Sequence, residues 1–348
     1  MAQKLVSLTQ LAALPFDQII DVRSPAEYAE DHIPGAINLP VLSDAERATV
    51  GTIYVQQDRF LARKIGAALV ARNAANHLDG PLADRDGGWR PLVYCWRGGQ
   101  RSGSFASILA QVGWRAELIE GGYKSYRRLV SAALYEEALP HRLVLLDGGT
   151  GTAKTRLLAR LAEVGAQVID LEGMAGHRGS LLGGHETGQP AQKRFESRIA
   201  MALARFDPAR PVYVEAESNK IGRLIVPPML WKAMIAADHV MISAPLGARV
   251  QYLTQAYGDL LANVDLLCTK LDLLRAYHGT ELVSSWQQMA QAGDFALLAQ
   301  ELVTHHYDPR YRRAQSRHAR APLATIALQG LADADLEAAA VKILALNG

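Results

Sequence analysis

The feature that most narrows the possible folds is a strand, a glycine-bearing loop and a helix, written twice. Pro91-Leu92-Val93-Tyr94-Cys95 runs into Trp96-Arg97-Gly98-Gly99-Gln100-Arg101-Ser102, and Leu143-Val144-Leu145-Leu146-Asp147 runs into Gly148-Gly149-Thr150-Gly151-Thr152-Ala153-Lys154-Thr155. Each starts as an apolar run of strand length and passes into an amphipathic helical pattern, predicted over 104–112 and 156–164. An apolar run without alternation suits a strand covered on both faces, as in a parallel sheet. Further strand-like runs lie at 18–22 and 116–119 around the first unit. Others lie at 167–170, 212–214, 239–243 and 324–328 after the second, while 43–77 reads as mostly helical. The expectation is an α/β chain: two doubly wound, mostly parallel sheets with helices on both faces. The short polar segment Tyr135-Glu136-Glu137-Ala138-Leu139-Pro140-His141 marks the boundary, giving domains at 1–137 and 138–348. A length of 348 residues agrees with two domains of roughly 150 each.

Composition excludes several classes. At 49% hydrophobic and 21% charged residues, there is apolar material for two cores and no case for disorder. No run of eighteen apolar residues offers a membrane span, and the first residues, with one Lys and a broken apolar pattern, do not read as a signal peptide. The two cysteines, Cys95 and Cys268, are too few for a disulfide framework, so a reducing cytoplasm is expected. No Cys/His cluster has zinc-ligand spacing, and no structural metal is expected. A net charge of +2 does not mark a nucleic-acid binder. Locally the balance differs: 305–320 carries five Arg, three His and one acid, and Tyr307 and Tyr311 stand among them. Arginines that hold phosphates and tyrosines that stack on splayed bases make this stretch an RNA-contact candidate, through Tyr307, Arg310, Tyr311, Arg312 and Arg313. A solvated basic helix face is the plainer reading.

Cys95 ends a strand and enters a loop of two Gly, two Arg and a Ser. Gly98 and Gly99 let backbone N–H groups turn inward to form an anion cradle, the next helix points its positive end there, and Arg97 and Arg101 add charge. These all favour thiolate, so Cys95 is read as a nucleophile. Cys268, in Leu266-Leu267-Cys268-Thr269-Lys270-Leu271, has no such loop and is read as a packed residue.

In the second loop Gly148, Gly151, Lys154 and Thr155 match Gly-x4-Gly-Lys-Ser/Thr except that Ala153 replaces the last Gly. Backbone N–H groups there surround a polyphosphate, Lys154 adds charge and Thr155 is placed to ligate Mg²⁺. Asp170, Glu215 and Glu217 follow predicted strands, where ligands gather in open parallel sheets; each is also suited to capping the next helix. His177-Arg178-Gly179-Ser180 offers a further polar loop for a phosphate or a base.

Asp21-Val22-Arg23-Ser24-Pro25-Ala26-Glu27-Tyr28, His32-Ile33-Pro34-Gly35-Ala36-Ile37-Asn38-Leu39-Pro40, Cys95 and Glu120-Gly121-Gly122-Tyr123-Lys124 resemble, in order, the landmarks of a rhodanese domain. The resemblance implies that Cys95 carries sulfur or selenium as a persulfide-type adduct, with Asp21 and Arg23 supporting the fold. Five residues separate Cys95 from Arg101, the spacing of cysteine-dependent phosphatases, which stand as a rival reading. The phosphate loop is similar to that of P-loop proteins. The same chain carries Asp170-Leu171-Glu172-Gly173-Met174-Ala175-Gly176-His177-Arg178-Gly179-Ser180, Glu215-Ala216-Glu217-Ser218-Asn219-Lys220-Ile221-Gly222 and His306-Tyr307-Asp308-Pro309-Arg310-Tyr311. Together these motifs resemble the bacterial tRNA 2-selenouridine synthase family along nearly the whole chain.

That resemblance implies two steps on the wobble 2-thiouridine of tRNAs for Lys, Glu and Gln. Geranyl diphosphate alkylates the sulfur, and selenophosphate then replaces the geranylthio group; no tightly bound cofactor is implied. Site chemistry then assigns the geranyl diphosphate to Gly148, Gly151, Lys154 and Thr155, with the apolar 225–231 as prenyl lining or as core. Selenophosphate goes to Cys95, with Arg97 and Arg101 at the phosphate. Lys124, Arg127 and Arg128 extend the basic surface for tRNA. The rival readings are a phosphatase fused to a small-molecule kinase and a nucleotide-binding regulator.

Overall fold

The computed structural model describes residues 2–184, 188–315 and 321–346, with 314 and 315 by backbone alone. The chain forms two compact units, 1–138 with 190–205, and 139–189 with 206–348. The first crossing falls near the polar segment around Pro140. The chain then crosses back once, which a single boundary does not anticipate. The cause is the helix Gln192–Leu203, whose Phe195, Ser197, Ile199 and Met201 are buried and which packs on the helix Gly122–Tyr135 of the first unit. Ser197 Oγ donates to Asp31 Oδ2 at 2.8 Å, Tyr135 Oη donates to Glu196 at 2.7 Å, and Arg127 pairs with Glu196. Arg127 is thus committed inside its unit instead of extending a basic surface.

The first unit holds a five-stranded parallel sheet. Its strands are β1 (Ala2–Gln3), β2 (Gln18–Asp21), β3 (Ile37–Asn38), β4 (Pro91–Tyr94) and β5 (Glu117–Ile119), in the order β1-β5-β4-β2-β3. All four residues of β4 are buried, as its unbroken apolar run requires. The predicted helical stretch is a pair, Asp44–Gln56 and Arg59–Asp79; Ser43 with Glu46 caps the first and Asp58 caps the second. Ile20, Val22, Val93, Phe105 and Leu109 fill the core beside Trp89 and Trp114, which meet edge to face at 5.2 Å.

The second unit is a five-stranded parallel sheet with a helical layer of its own. Its strands are β6 (Leu143–Asp147), β7 (Gln167–Ile169), β8 (Val212–Glu215), β9 (Lys220–Ile221), β10 (Leu224–Ile225), β11 (Asp238–Ser243) and β12 (Ala324–Ala327). The sheet order is β12-β11-β6-β8-β7, and β9 and β10 form a separate antiparallel ribbon. Leu146, Leu157, Leu161, Val240 and Ile343 make the sheet core. Between β11 and β12 a run of helices builds a second cluster around Leu260, Leu271, Trp286, Leu298 and Leu302. Within it Leu302–Tyr307 is a π-helix, a wide turn that recurs at functional sites.

Candidate functional site

Cys95 follows β4 directly, so the sheet fixes its backbone and the loop decides its chemistry. The residue is buried, and Ser102 Oγ donates to its sulfur at 3.1 Å. The following helix begins at Gln100, earlier than its apolar pattern predicts, with Gly99 as its cap. Arg101 and Ser102 therefore lie in its first turn. Burial pushes the Cys95 thiol up, but hydrogen bonds from Ser102, the Arg101 charge and the Gly99 amide outweigh it, so the thiol ionises more readily than usual. Arg101 does not stand open: its guanidinium donates to Glu27 at 2.8 Å, and Glu27 also meets Arg47 at 3.0 Å. Arg97 is exposed.

The loop is held from beneath by Gly98 and Gly122, at φ +65° and +59°. A Cβ on Gly122 would lie 2.2 Å from the Cys95 carbonyl oxygen and 2.5 Å from the Gly98 nitrogen. That close approach lets the Tyr123 and Lys124 amides donate to the carbonyls of Cys95 and Trp96, at 2.9 and 3.0 Å. Asp21 and Arg23 form a buried ion pair of 2.6 Å, and Arg23 lies over the Tyr123 ring at 4.0 Å. They brace the fold beneath the loop.

The phosphate loop follows β6. Lys154 opens the helix Lys154–Glu163, and its Nζ donates to the Gly148 carbonyl at 2.7 Å, poised over the loop. Ala153 sits at φ +58°, ψ +33°, and is the one non-glycine residue at positive φ among the described residues. Its methyl is buried in the sheet core, which holds the alanine in a conformation that costs about 1–2 kcal/mol. The loop thus keeps the shape for which glycine is usual. Arg249, almost fully buried, donates to the Thr150 carbonyl at 2.9 Å and pairs with Asp308 at 2.6 Å, tying the loop to the helix Asp308–Gln315.

The three acidic candidates separate. Asp170 caps the helix Leu171–Ala175, accepting from the Gly173 amide at 2.7 Å, and stays out of the cavity. Glu215 is fully buried and accepts from the Glu172 amide at 2.6 Å; burial, with Asp170 nearby, drives its carboxyl far towards the neutral form. Glu217 does reach the cavity. Burial first, then the Glu172 charge, pushes its carboxyl up to about 8, although Lys154 pulls the other way. The residue missed by the strand-end rule is Glu172, which accepts from Thr155 Oγ1 at 2.9 Å. It sits three residues past the end of β7, where the first turn of a short helix swings it into the site.

The cavity over the loop has a volume of about 800 Å³. Gly148, Gly151, Lys154 and Thr155 line it together with His177, Arg178, Tyr307, Arg310 and Tyr311. The supposed RNA-contact residues thus divide. Tyr307, Arg310 and Tyr311 belong to the phosphate-loop cavity, Arg312 and Arg313 are exposed, and 316–320 lie outside the described residues. Tyr311 donates to Asp147 at 3.0 Å, Arg178 pairs with Asp259 at 2.7 Å, and Arg310 lies over the Tyr277 ring at 4.4 Å. Burial pushes the Tyr307 hydroxyl up to about 12. Tyr252, Tyr257, Tyr277 and His306 complete this wall; His306 opens a landmark of the sequence, while nothing in the spacing of the three tyrosines marks them.

A second, apolar slot of about 50 Å³ shares Thr150, Leu253, Tyr257 and Tyr307 with that cavity. Leu260, Leu261, Phe295, Leu298 and Leu302 close it. The apolar stretch 225–231 lines neither space: Leu230 is core, in the helix Pro228–Ala236. Cys268 is half-buried among helices. Among the described residues no three His, Cys, Asp or Glu side chains gather to hold a metal, and no helix is long and apolar enough to cross a membrane.

Two family models match the chain: a rhodanese-like domain over residues 6–129 and the AAA domain of tRNA 2-selenouridine synthase over 141–267. Similar curated proteins carry the name tRNA 2-selenouridine synthase. That of Nitrosomonas europaea is 35% identical over 69% of this chain and 63% of its own length. That of Hahella chejuensis is 39% identical over 69% and 63%. That of Chromohalobacter salexigens is 37% identical over 74% of this chain and 70% of its own. The matched part of this chain therefore spans somewhat under two thirds of the first two relatives.

Proposed function

The chain belongs to the tRNA 2-selenouridine synthase family, and from that premise we propose that it converts wobble 2-thiouridine in tRNA to 2-selenouridine through an S-geranyl intermediate. The observation that carries this reading is the pairing of a phosphate loop with an apolar slot on shared walls. A nucleotide needs the first and has little use for the second; a prenyl diphosphate needs both. Its diphosphate meets the loop amides, the Lys154 ammonium and the positive end of the helix Lys154–Glu163. Its chain runs along Leu253 and Ala256 in the large cavity, and only its tip reaches the small slot, each buried methylene contributing about 0.8 kcal/mol.

The chemistry follows from charge. A thiocarbonyl sulfur is a poor leaving group until it is alkylated. Its attack on the prenyl carbon breaks the C–O bond, and the departing diphosphate gathers negative charge where the loop is built to hold it. Thr155 and Glu172, 2.9 Å apart, with Glu217 alongside, would hold a Mg²⁺ ion, whose charge would oppose the burial that pushes the Glu217 carboxyl up. Such an ion would neutralise diphosphate charge. The Cys95 loop serves the second step. Its thiolate engages selenophosphate, with Arg97 and the loop amides at the phosphate end and Arg101, held by Glu27, adding its charge.

The anticodon region of the tRNA is the partner in both steps, in the cytoplasm. The test is nucleoside mass analysis after incubating the protein with thiolated tRNA and geranyl diphosphate, then with selenophosphate. The expected products are S-geranyl-2-thiouridine and then 2-selenouridine. Hydrolysis of aryl phosphates with tight ATP binding, and no change in the tRNA, would favour the phosphatase–kinase reading instead.

A further inference from the structure

His306 lines the phosphate-loop cavity from the π-turn Leu302–Tyr307, and its Nδ1 lies 2.8 Å from His278 Nε2. His278 is itself set edge-on against the buried Trp286, at 5.2 Å. With Nδ1 taken, Nε2 is the nitrogen that can meet a ligand. We propose that His306 is the general base of the alkylation step, removing the N3 proton of the thiouracil, and that His278 is its positioning residue. This rests on the reading above.

The need for a base follows from the bonds. Neutral S-alkylated 2-thiouridine has no proton on N3. As the sulfur–carbon bond forms and the carbon–oxygen bond to diphosphate breaks, the N3–H pair becomes the C2=N3 π bond. The C2=S π pair is the one that attacks carbon. The diphosphate leaves with its electron pair, and the proton passes to His306 Nε2. Without a base the step passes through a cationic pyrimidine.

The cavity offers few other acceptors. Lys154, Arg178 and Arg310 are cations. Glu172 and Glu217 stand at Thr155, committed to the diphosphate end. His177 also lines the cavity, but its amide donates to the Glu172 carbonyl at 3.0 Å, which sets it at the diphosphate end. His306 stands among Tyr277, Tyr307 and Arg310, flat groups suited to a base. Burial, Arg310 and His278 hold its pKa down to about 4, so the resting imidazole is neutral. A bound diphosphate opposes the Arg310 charge, raises the proton affinity and stabilises the imidazolium as it forms. In the productive tautomer His306 Nδ1–H donates to His278 Nε2, and it keeps that bond when protonated.

The experiment is single-turnover S-geranylation of thiolated tRNA by the full chain across pH, with His306→Ala, His306→Ala plus imidazole, and His278→Gln. Removing a general base typically costs about 10²–10⁴-fold in rate, so His306→Ala falls in that range near neutral pH. Its affinities for tRNA and geranyl diphosphate hold, and imidazole restores part of the rate. The defect shrinks as alkali ionises N3–H without help. His278→Gln, which keeps the base, shows a smaller loss of rate and a displaced pH profile. Near-wild-type rates in both variants, or a His306→Ala defect that neither pH nor imidazole moves, overturn the proposal. A wild-type protein that makes no S-geranyl product sinks the functional reading itself, a separate outcome read in the same assay.

Discussion

Replacing Ser102 by Ala isolates what makes Cys95 reactive. The Ser102 hydroxyl is buried and lies 3.1 Å from the sulfur, with the Gly99 carbonyl at 3.2 Å as its other acceptor. A hydrogen bond to a charged group contributes about 1.5–3 kcal/mol, and about 1.4 kcal/mol is a factor of ten, so losing it should cut the thiolate population roughly ten- to hundredfold. The sign follows from the competing influences. Burial is the largest single effect on this thiol and disfavours the anion; Ser102 leads the opposing group. Without the hydroxyl the opposition to burial weakens, and the thiol should titrate at higher pH than in the wild type. The assay is the rate of iodoacetamide alkylation of Cys95 against pH, with Cys268 removed. The variant should be slower by that factor at pH below the wild-type midpoint and equal to it in strong alkali. An unchanged profile would refute the argument, leaving the Ser102 amide, the Arg101 charge and the Gly99 amide as sufficient.

Gly122→Ala places a methyl 2.2 Å from a backbone carbonyl, at a φ that alone costs a non-glycine residue about 1–2 kcal/mol. The Cys95 loop should shift, with slower alkylation and a lower Tm, while geranylation persists. Arg127→Ala leaves the buried Glu196 carboxylate without its ion-pair partner; such losses cost about 3–5 kcal/mol, and this one should fall at the low end because Arg127 is partly exposed. Chemical denaturation would measure it. Ala299→Phe fills the apolar slot and should raise the KM for geranyl diphosphate while leaving tRNA affinity alone.

The two strand–loop–helix units were legible because a buried parallel strand and a glycine loop each leave a local pattern. The return of Gln192–Leu203 to the first unit was not, since an amphipathic helix says which face is buried but not against what. Asp170 and Glu172 show the same limit within the site. Both lie at the end of β7, and only the cap geometry decides that the first holds a helix while the second faces the cavity. The stretch 225–231 reads equally as prenyl lining or as core, because composition cannot tell a cavity wall from a core, and the fold makes Leu230 core. The walls of the apolar slot come from separate helices that meet only in the fold. The His278–His306 contact joins residues far apart in sequence, and no motif flags it.

The division of labour between the two anion sites is tested most directly by nucleoside mass analysis of thiolated tRNA treated with Cys95→Ala and Lys154→Ala in the presence of both co-substrates. Cys95→Ala should accumulate S-geranyl-2-thiouridine and form no 2-selenouridine. Lys154→Ala should leave the 2-thiouridine untouched, yet convert tRNA that already carries the geranyl group. Formation of 2-selenouridine by Cys95→Ala at the wild-type rate would contradict the account.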